Sequence, residues 1–168
     1  LGDQVKATGT YTLASGYLTT ASASGSATFN SGTKSTGQNA VAMGYYTTAQ
    51  SFASLVIGRY NIVTGTTNDF IFSDPAFVIG NGTSSTPANC FTVLKDGKTA
   101  IGHGAPSQTL DVNGNGRFRS VASGAYSANL NISADGTLTT ATSDISMKSD
   151  ISGITNALEK VLMMRGVY

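Results

Sequence analysis

A spacing of seven residues organises the chain from Gly9 to Gly65. Every seventh position counted from Gly9 is Gly, Ala, Ser or Asn, and six of the nine are Gly, whereas composition alone predicts about one. The nine positions are Gly9, Gly16, Ala23, Asn30, Gly37, Gly44, Ser51, Gly58 and Gly65. Two places before them stand small or β-branched residues: Ala7, Ala14, Ala21, Thr28, Ser35, Ala42, Ala49, Val56 and Val63.

A period of seven is typical of a coiled coil, but glycine excludes that structure here. Each Gly inside a helix costs about 1 kcal/mol, and no seam of Leu or Ile compensates for it. A short strand and a glycine turn, repeated and stacked as a β-solenoid, fit the pattern. The small residues two places before each glycine then point inward. Because a single stack has a thin core, we expect partner chains to cover part of it.

The composition agrees with an all-β fold and excludes several classes of function. Only 11% of the residues are charged, and the single glutamate is Glu159, whereas helix surfaces are usually rich in Glu and Lys. A lone Cys90 excludes a disulfide framework and a cysteine-based zinc site. The net charge of +1 argues against nucleic acid as a partner, and no apolar run is long enough for insertion into a membrane. We predict neither a cofactor nor a metal site.

The second half of the repeat region carries a resemblance to a known family. Residues 40–51 read AVAMGYYTTAQS, and residues 54–58 read SLVIG. Over about residues 7–65 the chain resembles the head repeats of trimeric autotransporter adhesins, which show S-x-A-x-G about every 14 residues. The resemblance implies that residues 1–65 form a left-handed parallel β-roll in a homotrimer.

Residues 66–142 lose the period and predict hairpins. The first joins residues 91–94 and 99–102 through Asp96-Gly97, the second joins 110–112 and 117–119, and the third joins 129–133 and 136–139. Three short hairpins bury little core alone, so we expect an intertwined trimeric tip or neck. Residues 77–83 (FVIGNGT), 99–102 (TAIG) and 110–114 (LDVNG) resemble bacterial tail fibre domain proteins.

Residues 143–168 carry the one chemical motif of the sequence. Their string S-D-x-x-x-K-x-D-I-x-x-I-x-x-A-L-E-x-V resembles the start of the S74 peptidase, or intramolecular chaperone, domain. That domain drives trimerisation of the β structure before it and then cuts itself off through a Ser–Lys dyad. By this resemblance Ser143 is the nucleophile and Lys148 the general base. We expect residues 143–168 to contain only the start of this domain.

The spacing of the dyad limits what it does alone. Five residues on a helix lie about 140° apart around the axis, and on a strand they lie on opposite faces. A turn or the folded domain must bring Ser143 and Lys148 together, and burial must deprotonate the lysine. The alternative is that both are solvated linker residues.

An apolar stripe after the dyad predicts a helix over about residues 152–164. Ile151, Ile154, Leu158 and Val161 follow a 3-4-3 spacing. Two alternatives stay open for this stripe. It packs in a brief three-stranded coiled coil, or it packs against the chaperone domain.

Three further candidates have two interpretations each. His103 either forms a metal-binding or anion-binding ring of three on a trimer axis or is a hydrogen-bonded loop residue. Cys90 is expected to be a small buried hydrophobe rather than a reactive thiol. Tyr45, Tyr46 and Tyr60 either stack on sugar rings or pack against neighbouring subunits. The ligand-binding residues stay unassigned.

Together these features predict the distal segment of an extracellular homotrimeric fibre, on a bacterial surface or on a phage tail. We expect three identical surfaces to bind a repetitive cell-surface target, a glycan or another surface receptor, by avidity. Self-cleavage in the full-length parent is the one enzymatic activity expected. One alternative is a polysaccharide-degrading tailspike fragment, although the required pair of carboxylates is not evident. Another is a spacer of a phage tail fibre without a ligand.

Overall fold

The computed structural model describes residues 2–117, 119, 129–141, 153 and 155–164. The fold is almost all β, as predicted, with one short helix near the end of the described residues. The chain divides into two units, Leu1–Arg117 and Phe118–Tyr168.

The described part of the first unit contains thirteen strands. In chain order they are β1 (Gly2–Asp3), β2 (Lys6–Ala7), β3 (Leu13–Tyr17), β4 (Thr20–Ala21), β5 (Ala27–Ser31), β6 (Lys34–Ser35), β7 (Val41–Tyr45), β8 (Thr48–Ala49), β9 (Leu55–Arg59), β10 (Pro75–Asn81), β11 (Asn89–Leu94), β12 (Thr99–Ile101) and β13 (Leu110–Val112). A large sheet has the order β1-β3-β5-β7-β9-β10-β11-β12-β13, and a small one has the order β2-β4-β6-β8.

The first nine strands form the β-solenoid that the spacing predicts. Strands β1, β3, β5, β7 and β9 are parallel, and each residue pairs with its equivalent two repeats later, as in Ala14 with Thr28 and Thr28 with Ala42. The short strands of the small sheet pair by the same rule, as in Ala21 with Ser35. Each coil therefore has a long side and a short side, and the seven-residue period is half a coil.

Small side chains fill the space between the two sheets. Seven of the nine positions predicted to face inward are buried: Ala14, Ala21, Thr28, Ser35, Ala42, Ala49 and Val56. The prediction is wrong for Ala7 and Val63, which are exposed. Ala7 lies in the first described coil and has a neighbouring coil on one side only. Val63 lies where the chain leaves the repeat.

Several buried hydroxyl groups in this core donate hydrogen bonds to nearby backbone, whereas those of Thr19, Ser26 and Thr28 have no partner among the described residues. Thr33 and Thr47 each donate a hydrogen bond of 3.1 Å to a carbonyl four residues earlier. Ser35 donates to the Ala40 carbonyl at 2.9 Å, and Ser54 donates to the Ser51 carbonyl at 2.7 Å. A paired hydroxyl costs little to bury, so pairing accounts for these four Ser and Thr side chains in the core.

Glycine is favoured at one position of the long strands both by conformation and by space. Gly58 has φ +92°, and a Cβ at this position would overlap the Gly80 carbonyl oxygen of the next strand. Asn30 occupies the equivalent place two coils earlier with φ 77°. Asparagine adopts positive φ more readily than most side chains, which accounts for the backbone conformation at this position.

The solenoid ends at a side-chain cap rather than at another short strand. The buried Asn61 amide accepts a hydrogen bond of 2.8 Å from the Thr48 N–H and donates one of 3.1 Å to the Thr48 carbonyl. These are the ladder bonds that a further strand beside β8 would make. Asn61 thereby closes one edge of the small sheet.

The large sheet continues after the repeat with different pairings. Strand β10 lies parallel to β9, with Val56 paired to Val78. These two residues are further apart in sequence than paired residues of neighbouring coils, because a long connection lies between the two strands. Strands β10, β11 and β12 are antiparallel neighbours. The predicted hairpin around Asp96-Gly97 is therefore confirmed, and Gly97 has the positive φ of 89° that its turn needs.

The second predicted hairpin is wrong. Strand β13 pairs in parallel with β12, with Ala100 opposite Asp111, and not with residues 117–119. Arg117 and Arg119 lie outside any strand, and residue 118 lies outside the described residues. The loop of residues 102–109 is long enough to return the chain to the free edge of β12, where backbone hydrogen bonds are available.

The second unit contains one hairpin and one helix in its described residues. Strands β14 (Asn129–Ile132) and β15 (Leu138–Ala141) are antiparallel, which confirms the third predicted hairpin. Helix α1 covers only Ala157–Leu162, shorter than predicted, and its described side chains are exposed. Ile151 and Ile154 of the predicted stripe lie outside the described residues, so neither predicted packing of the helix is tested.

Substituting Gly58 with alanine is predicted to destabilise the solenoid by about 3 kcal/mol or more, because strain at positive φ adds to a backbone overlap. Gly97→Ala is the matched control, since Gly97 has φ +89° but no heavy atom near its added Cβ. The control is expected to lose about 1 kcal/mol from strain alone. Urea unfolding measures both, and equal losses would contradict the close stacking at Gly58.

Replacing Asn61 with aspartate is predicted to lower the free energy of unfolding by about 2 kcal/mol at pH 7. The change removes the two donors that reach the carbonyls of Thr48 and Ile62, and it places a buried charge beside them. Asn81→Asp, at an exposed position, is the matched control and is expected to be nearly neutral. An equally small effect at both positions, again by urea unfolding, would show that Asn61 is not a cap.

Candidate functional site

The outer face of the large sheet, opposite the core, carries two rows of side chains that are apolar except for Ser15 and Thr99. The strand registers define both rows. The first row is Leu13, Ala27, Val41, Leu55, Phe77, Val93, Thr99 and Leu110. The second is Ser15, Phe29, Met43, Ile57, Ile79, Phe91, Ile101 and Val112. None of these sixteen residues is charged or fully buried. An uncharged apolar face of this length is unusual on an isolated soluble domain.

The three tyrosines singled out in the sequence lie together at one corner of the solenoid. Tyr45 ends β7, while Tyr46 and Tyr60 follow the ends of β7 and β9 with positive φ. The rings of Tyr46 and Tyr60 are stacked, with centroids 5.3 Å apart and planes 9° apart. Tyr45 meets these rings edge-on at 4.8 and 5.7 Å. The spacing of one coil places Tyr60 beside Tyr46.

A glycine in the preceding coil makes room for this stack. A Cβ at Gly32 would approach the Tyr46 ring to 2.8 Å, so the ring lies against bare backbone. Tyr45 and Tyr46 are nevertheless 49% and 40% exposed. Desolvation, with smaller contributions from Tyr45, raises the pKa of the Tyr60 phenol. The cluster is therefore ordered and open to solvent.

Arg59 completes this corner, and sequence reasoning missed it. Its guanidinium carbon lies 5.8 Å from the centroid of the Tyr60 ring, and its strand neighbours are Tyr45 and Asn81. Within the described residues no carboxylate lies within ion-pair distance of it. Its place in the repeat, one full coil after Tyr45, was the signal that could have found it.

A strap formed by residues 65–74 crosses the side of the solenoid. The backbone N–H groups of Gln38 and Phe52 donate to carbonyls in the strap, each at 2.8 Å, and that of Asp96 donates to Phe72 at 3.0 Å. The Nζ atom of Lys95 lies 5.1 Å from the centroid of the Phe70 ring in the strap. The strap thus joins the repeat region to β11.

Lys95 also forms a hydrogen bond with a serine, Ser51. Its Nζ donates a 2.9 Å hydrogen bond to Ser51 Oγ. Desolvation lowers the pKa of Lys95, although Asp74 and Asp69 oppose the shift. A serine and a lysine of lowered pKa are the components of a nucleophilic dyad. Ser51 is only 1% exposed, however, so it is not accessible to a substrate. The hydrogen bond instead connects the end of β11 to the repeat region.

His103 is a loop residue held by polar neighbours. Its Nδ1 accepts a hydrogen bond of 3.3 Å from the Ala105 N–H, and its Nε2 lies 3.2 Å from Asp111 Oδ1. The other oxygen of Asp111 accepts from the N–H and the hydroxyl of Ser107 at 2.8 and 2.9 Å. This supports the loop interpretation of His103. The bonds from Ser107, aided by His103, lower the pKa of Asp111.

The remaining candidates are placed as follows. Cys90 is half-buried rather than buried, with Sγ 3.4 Å from the Ile79 carbonyl oxygen. Ser143 and Lys148 lie outside the described residues, so their dyad stays a prediction. Among the described residues, no group of three His, Cys, Asp or Glu is arranged to hold a metal ion. Nor does the described part of the chain contain a helix of the length and apolarity needed to span a membrane.

Comparison with known proteins adds no identification. No family model, curated protein or solved structure matches this chain.

The Asp111→Asn variant is predicted to be less stable than wild type at pH 7, with a difference that vanishes in acid. Because the folded pKa lies below the unfolded one, Asp111 stabilises the fold fully above the unfolded value of about 4. That contribution is lost as the pH falls through the folded pKa. Melting temperatures between pH 7 and 2 measure it, with Asp3→Asn as the control. A constant difference at all pH values would contradict the prediction.

Proposed function

We propose that this chain is a segment of an extracellular homotrimeric fibre that binds a glycan on a cell surface by avidity. The observation that supports it best is the uncharged apolar outer face of the large sheet. That face continues without interruption from the repeat region to β13. It therefore belongs to the whole first unit rather than to one loop.

Self-association is the simplest way to cover this face. In a monomer, Leu13 and Leu110 are more than half exposed, and Met43, Leu55 and Ile101 lie between them along the sheet. Burying a large apolar side chain stabilises by about 1.5–3 kcal/mol when it is complete. Partial burial of two such rows amounts to several kcal/mol per subunit. Identical chains in parallel would place their apolar rows side by side.

A trimer, rather than a dimer, follows from the resemblance of residues 7–65 to trimeric adhesin heads. Three large sheets facing one axis would bury their outer faces together and leave the small sheets and corners exposed. In this proposal residues 143–168 begin the self-cleaving intramolecular chaperone that their motif resembles. The fibre is placed on a bacterial surface, with a phage tail as the alternative location.

Glycan binding is supported by the open tyrosine corner. Aromatic rings that are held in place by neighbours, and still face solvent, suit an amphipathic ligand such as a sugar. With three copies around one axis, weak single sites become strong binding to a repetitive surface. A spacer without a ligand would share the apolar face but would have no use for this corner.

Light scattering behind size exclusion tests the trimer. The expected mass is about 52 kDa, three times the 17.2 kDa of one chain. Ile57→Glu is predicted to convert the trimer to a folded monomer, because three carboxylates would be buried near one axis. Tyr11→Glu, at a position 91% exposed and outside both rows, is the matched control and is expected to stay trimeric.

Circular dichroism separates dissociation from unfolding in this experiment. The proposal requires that Ile57→Glu keep the β spectrum of wild type while its mass falls. A well-folded wild-type monomer at micromolar concentration would contradict the trimer. Unchanged mass for Ile57→Glu would show that the outer face is not the interface.

A further inference from the structure

We propose that Arg59 and the tyrosine corner, defined as Tyr45, Tyr46 and Tyr60, bind an acidic sugar unit, a pyranose ring that carries a carboxylate. This inference rests on the proposed glycan binding and names the site and the chemical class of the ligand. Its evidence is the arrangement of three rings and one guanidinium at a single corner of the solenoid.

The rings are held in place before any ligand arrives. Tyr46 lies between the backbone of Gly32 on one side and the parallel ring of Tyr60 on the other. The plane of the Tyr45 ring is nearly perpendicular to both others, at 75° and 84°. Because both faces of Tyr46 are covered, a sugar ring stacks on Tyr45 or Tyr60. A side chain that is already ordered loses little conformational entropy when it binds a ligand. The C–H groups of a pyranose ring carry partial positive charge, which suits the negative face of an aromatic ring.

The charge of the corner selects the sugar. The exposed Arg59 guanidinium has no ion-pair partner among the described residues, whereas Lys98 is paired with Asp96 at 2.8 Å. Arginine presents a planar fork of donors that matches a carboxylate with two hydrogen bonds. A neutral sugar would use the rings alone and leave the guanidinium unpaired. The corner therefore favours uronic acid or sialic acid units over neutral hexoses.

A structural role alone does not account for these four residues. Tyr17 occupies the same strand position as Tyr45 two coils earlier, and it is 46% exposed. The adjacent corner residue there is Leu18, which has the same positive φ as Tyr46 and Tyr60 but no ring. The solenoid thus turns this corner without a tyrosine stack. The side chains of Arg59 and Tyr45 are also exposed, so replacing them leaves the buried core of the solenoid unchanged.

Binding is tested with oligosaccharides of galacturonate, glucuronate and mannuronate and with sialyllactose, each paired with its methyl ester. The pair keeps the ring and removes the negative charge. The protein contains no Trp and seven Tyr, so a change in tyrosine fluorescence that is lost in the corner variants reports on the corner. Wild type is expected to bind at least one acid about tenfold or more tightly than its ester.

Three variants locate the binding. Arg59→Gln is expected to lose the preference for acid over ester, and Tyr45→Ser is expected to weaken binding of both by about tenfold. Tyr17→Ser is the matched control and is expected to bind like wild type. Mass and melting temperature are measured for each variant and are expected to match those of wild type.

Each other outcome overturns the inference in a distinguishable way. If wild type binds glycans but Arg59→Gln and Tyr45→Ser bind equally well, the site is elsewhere and the proposed function survives. If a neutral ester binds as tightly as its acid, the chemical class is wrong. If wild type binds none of the probes, this inference and the proposed glycan binding both fail. Loss of the trimer in Tyr45→Ser would assign the corner to the subunit interface.

Discussion

The structure depends on one constraint, which is that consecutive coils lie one strand spacing apart, about 4.8 Å, along most of their length. At Gly58 the next strand is so close that no side chain fits between the two backbones. The interior is narrow for the same reason, so Ala, Ser and Thr occupy it. A core of such small residues buries little apolar surface, and the large apolar side chains therefore lie outside it.

The position of the large apolar side chains outside the core is the structural basis of the proposed assembly. The outer face of the large sheet holds Phe, Ile, Leu and Met where an independent domain would have polar residues. A sheet with small residues inside and large apolar residues outside is stable when other chains cover the outer face. The strap and the hydrogen bond from Lys95 to Ser51 connect the repeat region with the end of β11 within the single chain.

At the corners of the coils the spacing between strands does not limit side-chain size, and the residue type differs from coil to coil. The residues that turn the same corner are Gln4, Leu18, Gly32, Tyr46 and Tyr60, all with positive φ. Their backbone is equivalent while their side chains differ, so a corner can acquire a binding surface without disturbing the stack. The tyrosines use the space left at Gly32, and Arg59 lies beside them because β9 ends next to β7. A regular scaffold with variable corners is compatible with the proposed binding function.

Much of the fold could be predicted from the sequence, because side-chain size alone defines its repeat. Glycine every seven residues and small residues two places earlier determined the β-solenoid, and Asp96-Gly97 determined a hairpin. The sequence also singled out Tyr45, Tyr46 and Tyr60. Only the tertiary structure decided that β13 joins β12 in parallel, that Asn61 caps β8 and that Lys95 reaches Ser51. Those contacts join residues that no period relates, or depend on which strand edge is left free, and local patterns carry no information about either.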